Sequence, residues 1–305
     1  MRPALGRRLR VATRPARHAL AFAGVRALVA ALRLLPLPAA LSLGAALGRL
    51  AAIALPGVRG ALQERLNATR AALGGRTPTA AAHLADLGRR VAEFANADRL
   101  LGLNAVRVPP ETRALLTPSP RGLLVAAGHL DNWELMAAAL ARAGHNVRAV
   151  VAAPRAGPLS RWLLSERARL GVTSLPPGGG ARAAREALAS GAGMGLLVDL
   201  ATHERSIVVD FLGRPTRAAL TLERLARSTG APVVFIWPAR EAGAVVIRAE
   251  AVGFDPAAPE GALTQALARR IEARIVAAPE RWLWVHDRWP SESMPEARRA
   301  TVPPT

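Results

Sequence analysis

Apolar and polar positions divide the chain into distinct textures. From residue 19 to 57 the run ALAFAGVRALVAALRLLPLPAALSLGAALGRLAAIALPG is apolar almost throughout, broken by Arg26, Arg33 and Arg49. A membrane-spanning helix wants about 20 apolar residues in a row. The longest uncharged piece here, residues 34 to 48, has 15, and Pro36 and Pro38 predict a kink inside it. A basic, kinked amphipathic anchor lying in the membrane interface fits this pattern, as does a short span whose arginines snorkel to its ends. A soluble helical hairpin whose apolar faces cover the rest of the domain fits it too. The arginines spread through the apolar region with no cleavage site after it, unlike a secretory signal peptide.

From 59 to 104, apolar residues recur three and four apart in RGALQERLNATRAAL and AAAHLADLGRRVAEFANADRLLGL, which predicts helices. VRVPPETRALLTPSPRG then interrupts the pattern with four prolines. Beyond it, short apolar runs alternate with helical patterns: GLLVAAG before a helix at 132–143, NVRAVVA before 159–169, GVTSLP before 181–190, then GMGLLVDL, a helix at 216–229 and APVVFIWP. GAVVIRAEAVGF reads as a further strand, and Leu263, Leu267, Ile271 and Ile275 as the inner stripe of a late helix. Strands alternating with helices of this length mean crossover units. The expected fold is α/β, a mixed and largely parallel sheet flanked by helices, with an N-terminal apolar helical anchor. Its organisation reads as a basic, apolar membrane-associating segment (1–58), a helical membrane-proximal region (59–110), an α/β core (111–292) and a loose tail (293–305).

Composition sharpens this picture in two ways. With 305 residues, 51% of them hydrophobic, the chain has enough material for a full core. The formal charge of +19 comes from 41 basic residues, all arginine, against 22 acidic ones, and ten arginines precede the first acid, Glu64. Such an excess attracts lipid headgroups, nucleic acid or an acidic carrier protein. Only 4% of the residues are aromatic, and no zinc-finger spacing, RNP-like stretch or basic zipper accompanies the charge, so nucleic acid is not the expected partner. Cysteine is absent, which removes disulfides and thiolate metal sites.

The stretch GLLVAAGHLDNWEL carries the densest chemistry. Ligands of open α/β sheets bind beyond the carboxyl ends of strands, where loops enter helix N-termini, and His129 stands at such a point. Glu134 falls in the first turn of the next helix, close enough to reach back to the imidazole. That pairing would let the carboxylate hold one ring nitrogen protonated while the other takes a proton from a hydroxyl. Backbone N–H groups at the helix start, with Asn132, would stabilise an oxyanion. A second reading stands beside it: Asp131-Asn-Trp-Glu134 has the form of a capping box, in which Glu134 only satisfies backbone donors and His129 is a loop residue. PPGGG at 176 to 180 lacks P-loop spacing and reads as a flexible loop. His-x4-Glu lacks the second histidine of a zinc signature, so no metal is expected.

GHLDNWEL resembles the signature of the late acyltransferases of lipid A biosynthesis, the lauroyl and myristoyl transferases. Further stretches resemble that family in the expected order: LLSERARLGV, LLVDL, VVDFLGRPTRAALTLERLARSTGAPVV and PERWLWVHDRW. Departures occur at Asp131 for a glycine, Leu200 for a glutamine, Asp210 for a small or apolar residue and Asp287 for an arginine. They bear on the acceptor more than on the reaction, and related enzymes that acylate phosphatidylinositol mannosides share the same histidine-acid arrangement.

The resemblance implies a glycerol-phosphate-acyltransferase-like fold and transfer of a fatty acyl chain from an acyl thioester, with acyl carrier protein as donor, to a hydroxyl of a lipid A-type glycolipid. No cofactor beyond the thioester co-substrate is implied. His129 takes the role of general base and Glu134 of its orienting partner. Arg167 neutralises charge on the thioester oxyanion or on an acceptor phosphate, its alternative being a solvated helix arginine. Asp199, at the end of a buried strand, lines the site or orients an arginine, or else serves only the strand end. His286 is expected in a packed cluster with Trp284 and Trp289. The implied setting is the cytoplasmic face of the bacterial inner membrane, with the anionic membrane, the glycolipid and the carrier as partners of the basic surface.

Overall fold

A computed structural model describes residues 14–150, 157–175, 180–202 and 205–290. The expected loose tail and nearly all of the PPGGG stretch lie outside these residues. The apolar N-terminal run forms two helices, α1 (Arg14–Leu34) and α2 (Leu37–Ala54). The proline pair does more than kink one helix. Pro36 ends the first by capping the second, and Pro38 sits in the opening turn of α2, where its missing N–H is harmless. Helices α3 (Pro56–Ala68), α4 (Ala80–Ala95) and α5 (Ala97–Gly102) follow, and the Thr79 hydroxyl caps α4 by accepting from the Ala82 N–H at 3.1 Å.

Helix α2 packs on the domain through one face and leaves the other apolar face uncovered. Its buried residues, Ala40, Gly44, Gly48 and Ala52, form a stripe of small side chains four apart. The stripe presses onto α4 so closely that a Cβ at Gly48 would stand 2.0 Å from the Leu84 carbonyl oxygen, and one at Gly44 2.5 Å from that of Gly88. The opposite face leaves Leu43, Leu50 and Ile53 exposed. By length and composition α2 is also the one helix among the described residues long and apolar enough to cross a membrane.

The core is a seven-stranded sheet of order β1-β9-β8-β2-β5-β3-β4. Its strands are β1 (Val106–Arg107), β2 (Leu123–Ala127), β3 (Val147–Val150), β4 (Ser174–Leu175), β5 (Gly193–Leu197), β8 (Val233–Glu241) and β9 (Ala244–Val252). β2 lies parallel to β5 and β8, and β3 parallel to β4 and β5; only the β8–β9 pairing is antiparallel. Helices α7 (Trp133–Arg142), α8 (Pro158–Arg169), α9 (Gly180–Ala189), α10 (Thr221–Thr229) and α11 (Ala262–Ala277) supply the crossovers and covering layers, as the alternation of patterns predicted. Every residue of β2 is buried: Leu124 and Ala126 join a cluster with Ile271 of α11, whereas Leu123, Val125 and Ala127 join one with Leu135 and Leu140 of α7. A strand covered on both faces reads as an unbroken apolar run. The stripe Leu263, Leu267, Ile271 and Ile275 is buried as expected.

Two segments differ from the pattern reading. The helix expected at 216–229 begins only at Thr221; before it, β6 (Ser206–Phe211) and β7 (Arg214–Ala219) form an antiparallel hairpin. Leu212 and Gly213 turn it with φ of 51° and 72°, a conformation that suits a two-residue hairpin loop. The proline-rich stretch also holds structure, the short β1 and a helix α6 (Pro110–Leu115) with Pro110 at its start.

Candidate active site

The site is built where β2 and β5 end side by side. Their register pairs Ala127 with Leu197, so the residues two beyond each strand, His129 and Asp199, stand opposite one another. Asp199 is fully buried, and its Oδ1 lies 2.7 Å from His129 Nδ1. Its Oδ2 accepts from the His129 backbone N–H at 2.7 Å and from the Trp282 indole N–H at 2.8 Å. Gly128 makes room for this: a Cβ there would stand 3.2 Å from Asp199 Oδ2. Burial pushes the Asp199 carboxyl up, but the facing imidazole and the three N–H donors outweigh it and hold the group below the usual carboxylate range. An ionised Asp199 fixes the proton of the neutral ring on Nδ1 and leaves the Nε2 lone pair for other work.

The carboxylate at the imidazole is therefore Asp199, not Glu134. Helix α7 begins at Trp133, whose ring meets His129 edge-on at 4.9 Å between centroids. The Glu134 side chain instead takes a two-point clasp from Arg167 of α8, Nε to Oε2 at 2.8 Å and Nη2 to Oε1 at 2.5 Å, with a third donor in Trp133 Nε1 at 3.2 Å. This is neither the dyad nor the capping box read from the spacing. Arg167 is no solvated helix arginine either, since its side chain is 15% exposed. Burial opposes its charge, but the Glu134 hydrogen bonds prevail and strengthen it.

Asn132 is the N-cap of α7 and does not face a reacting group. Its Oδ1 accepts from the Leu135 N–H at 3.1 Å, and its Nδ2 donates to the Arg90 carbonyl and to Glu93, both at 3.0 Å. Asp131 belongs to the same scaffold, with a left-handed φ of 43°. Its carboxylate receives Arg240 at 2.8 and 2.5 Å, and Arg90 Nη1 donates to its carbonyl at 2.8 Å. Arg240 also clasps Glu93. Burial raises the Asp131 carboxyl, yet Arg240 holds it below its ordinary range. The loop carrying His129 is thus pinned from behind by a buried ionic network whose partners Glu93 and Arg240 the pattern reading did not single out.

Trp282, Trp284, Trp289 and Phe211 pack as a ring cluster behind Asp199. His286 is not among them: a turn closed by its backbone N–H on the Leu283 carbonyl at 3.3 Å leaves it in solvent, and Arg288, two residues on, is buried instead. Burial lowers the Arg288 pKa to about 10, with Asp199 opposing the shift. Among the described residues no cluster of three or more His, Asp or Glu has a metal-binding arrangement.

His129, Trp133, Glu134 and Arg167 share a cavity of about 290 Å³ that runs between α7 and the sheet, walled by Val125, Ala127, Met136, Leu140, Val147 and Val172. A polar mouth thus opens into an apolar slot, which suits a substrate with a reactive head and a hydrocarbon tail.

Residues 117–291 match the family described as bacterial lipid A biosynthesis acyltransferase. The chain is also similar to two phosphatidylinositol mannoside acyltransferases of Mycobacterium tuberculosis, from strains ATCC 25618 / H37Rv and CDC 1551 / Oshkosh. Each is 29% identical over 189 residues, 59% of this chain and 58% of the relative. The chain thus spans less than two thirds of the length of these relatives.

Proposed function

Because the chain belongs to the bacterial lipid A biosynthesis acyltransferase family, we propose that it transfers a fatty acyl group from a carrier-protein thioester to a hydroxyl of a membrane glycolipid, with His129 as general base. The observation that carries this reading is the His129–Asp199 contact at the mouth of an apolar slot. A hydroxyl is too weak an acid to ionise at neutral pH, so a base must act as the new bond forms, an effect worth roughly 10² to 10⁴ in rate.

In the proposed step His129 Nε2 takes the hydroxyl proton while the oxygen attacks the thioester carbonyl. Asp199 supports the imidazolium that results. Arg167, kept in place by Glu134, supplies positive charge for the oxyanion. Collapse of the tetrahedral species breaks the carbon–sulfur bond, and the imidazolium returns the proton to the departing thiolate. The tail lies in the slot throughout.

The setting follows from charge and shape. An acidic carrier protein and an anionic membrane both complement a chain of net charge +19, and the exposed apolar face of α2 is suited to a bilayer surface. We place the enzyme at the cytoplasmic face of the inner membrane. The acceptor is a phosphorylated glycolipid, of the lipid A type by family. The similarity to phosphatidylinositol mannoside acyltransferases favours a mannosylated phosphoinositide as the second candidate.

The test is acyl transfer by purified protein from an acyl-carrier thioester to a lipid A precursor and, separately, to a phosphatidylinositol mannoside, followed by mass spectrometry. The proposal expects product with one of these acceptors and a fall of at least a hundredfold in His129→Ala. Equal transfer by the variant would remove His129 from the chemistry, and no transfer with any acceptor would favour a non-catalytic protein of anionic membranes.

A further inference from the structure

Gly195 sits in the middle of β5, a place where glycine is costly because it adds backbone freedom and contributes no packing. It is paired on one side with Val125 and on the other with Ala149. Its neighbours Met194 and Leu196 are buried, but Gly195 itself is only half-buried and lines the slot that begins at His129. Partial exposure deep inside a sheet means that there is open space over the backbone.

A second glycine on the same strand provides the contrast. A Cβ at Gly193 would meet the Val147 Cγ2 at 3.1 Å, the Asn146 carbonyl oxygen at 3.4 Å and the Val147 Cα at 3.5 Å, so packing against β3 accounts for it. A Cβ at Gly195 would touch only the Val147 Cγ1 at 3.2 Å, with the Arg148 oxygen at 3.9 Å. The closest contacts are alike, but Gly193 also meets backbone at 3.4 and 3.5 Å, whereas past one Val147 methyl Gly195 has nothing nearer than 3.9 Å.

Position along the strand gives the consequence. Gly195 lies four residues before Asp199, roughly 13 Å down the strand at about 3.3 Å per residue. Val147, which also lines the slot, is registered with Gly193, two residues deeper. An extended hydrocarbon advances roughly 1.25 Å per carbon, given single bonds near 1.5 Å at tetrahedral angles, so about ten carbons separate the reacting end from Gly195. The stretch below it takes about five more, from two further residues at about 3.3 Å each.

From this we infer that Gly195 gauges the length of the acyl chain: its missing side chain lets a long tail pass between Val125 and Val147 to the inner end of the slot. This rests on the proposed function only in taking the slot as the acyl site. Any side chain at 195 closes the inner stretch and leaves the mouth intact.

The experiment reads binding apart from catalysis. Free saturated fatty acids of eight to eighteen carbons displace a fluorescent fatty acid from wild type, Gly195→Leu and Gly193→Ala, and carrier thioesters of the same lengths are then compared in the transfer assay. Wild type is expected to prefer long chains, and Gly195→Leu chains shorter by about four to six carbons, with short-chain binding retained. Gly193→Ala is expected to lose thermal stability and keep the wild-type preference. An unchanged preference in Gly195→Leu overturns the gauge while leaving the enzyme reading in place. Failure of wild type to bind any fatty acid overturns the slot as the acyl site, and the gauge with it. If Gly195→Leu does not fold, Gly195→Ala and Val147→Phe, which fills the same space from the neighbouring strand, decide the matter by the same shift.

Discussion

Asp199 holds His129 at two points: one carboxylate oxygen lies 2.7 Å from the ring Nδ1, and the other accepts the residue's own backbone N–H at 2.7 Å. The two residues are 70 positions apart in the chain, and their contact orients the imidazole and the loop together. Asp199→Asn keeps the shape and removes the charge that fixes the ring tautomer. The expected outcome is a loss of about 10² or more in kcat with little change in KM, compared with roughly 10² to 10⁴ for His129→Ala. Steady-state transfer kinetics over a range of pH check this, and an Asp199→Asn enzyme with wild-type kcat would return the orienting role to another group.

Glu134 and Arg167 act as a pair, so either change alone should disturb the other. Glu134→Gln is expected to keep a foothold for Arg167 through its amide oxygen, whereas Glu134→Ala releases the guanidinium from its two-point clasp. Transfer rates should fall in the order wild type, Gln, Ala. If Glu134→Ala and Arg167→Ala were each severe and the double variant no worse than either, the two would be shown to work as one unit.

Stability should depend on pH through His83. Its side chain is buried, its Nδ1 donates to the Glu280 carbonyl at 2.9 Å, and burial pushes its pKa down to about 4 despite that bond. Between about 4 and the ordinary value of 6.5 the unfolded chain binds the proton and the folded one does not. Stability therefore falls as pH drops through that window and levels off below it, by about 3 kcal/mol at most for this group. Thermal melts of His83→Gln across the same range should show a flatter dependence, and an equally steep one would remove His83 as its source.

The α2–α4 contact is backbone against backbone, so Gly48→Ala should destabilise by about 1–3 kcal/mol through overpacking. A Cβ at Gly60 of α3 meets nothing within 4 Å, and Gly60→Ala should stabilise by roughly 0.5–1 kcal/mol from helix propensity. Denaturant titrations of the two variants check the opposite signs.

Leu50 and Ile53 project from the outer face of α2 at 57% and 72% exposure. Replacing both with Glu should abolish flotation with anionic vesicles while leaving the melting temperature within a few degrees. Wild-type binding should weaken with added salt, because part of it is electrostatic. Unchanged flotation would move the membrane contact elsewhere.

The sequence by itself determined the elements and their order. The period of the apolar positions separates the helical first third from the alternating core, the unbroken run GLLVAAG announces a strand covered on both faces, and the motif series places His129 at that strand's end. Where the pattern misled, local geometry was the reason. At Leu212 and Gly213 a two-residue turn folds the chain back on itself, so part of an expected helix is a strand, and a turn at residues 283–286 leaves His286 in solvent while Arg288 goes inside instead. The partner of His129 was decided by tertiary structure alone. Spacing along one segment speaks only for what a loop and the next helical turn can reach, and by that measure Glu134 was the acid able to bend back to the imidazole. Asp199 comes from a strand three crossovers later that the topology inserts beside β2, where the parallel register Ala127–Leu197 brings two strand-end residues face to face.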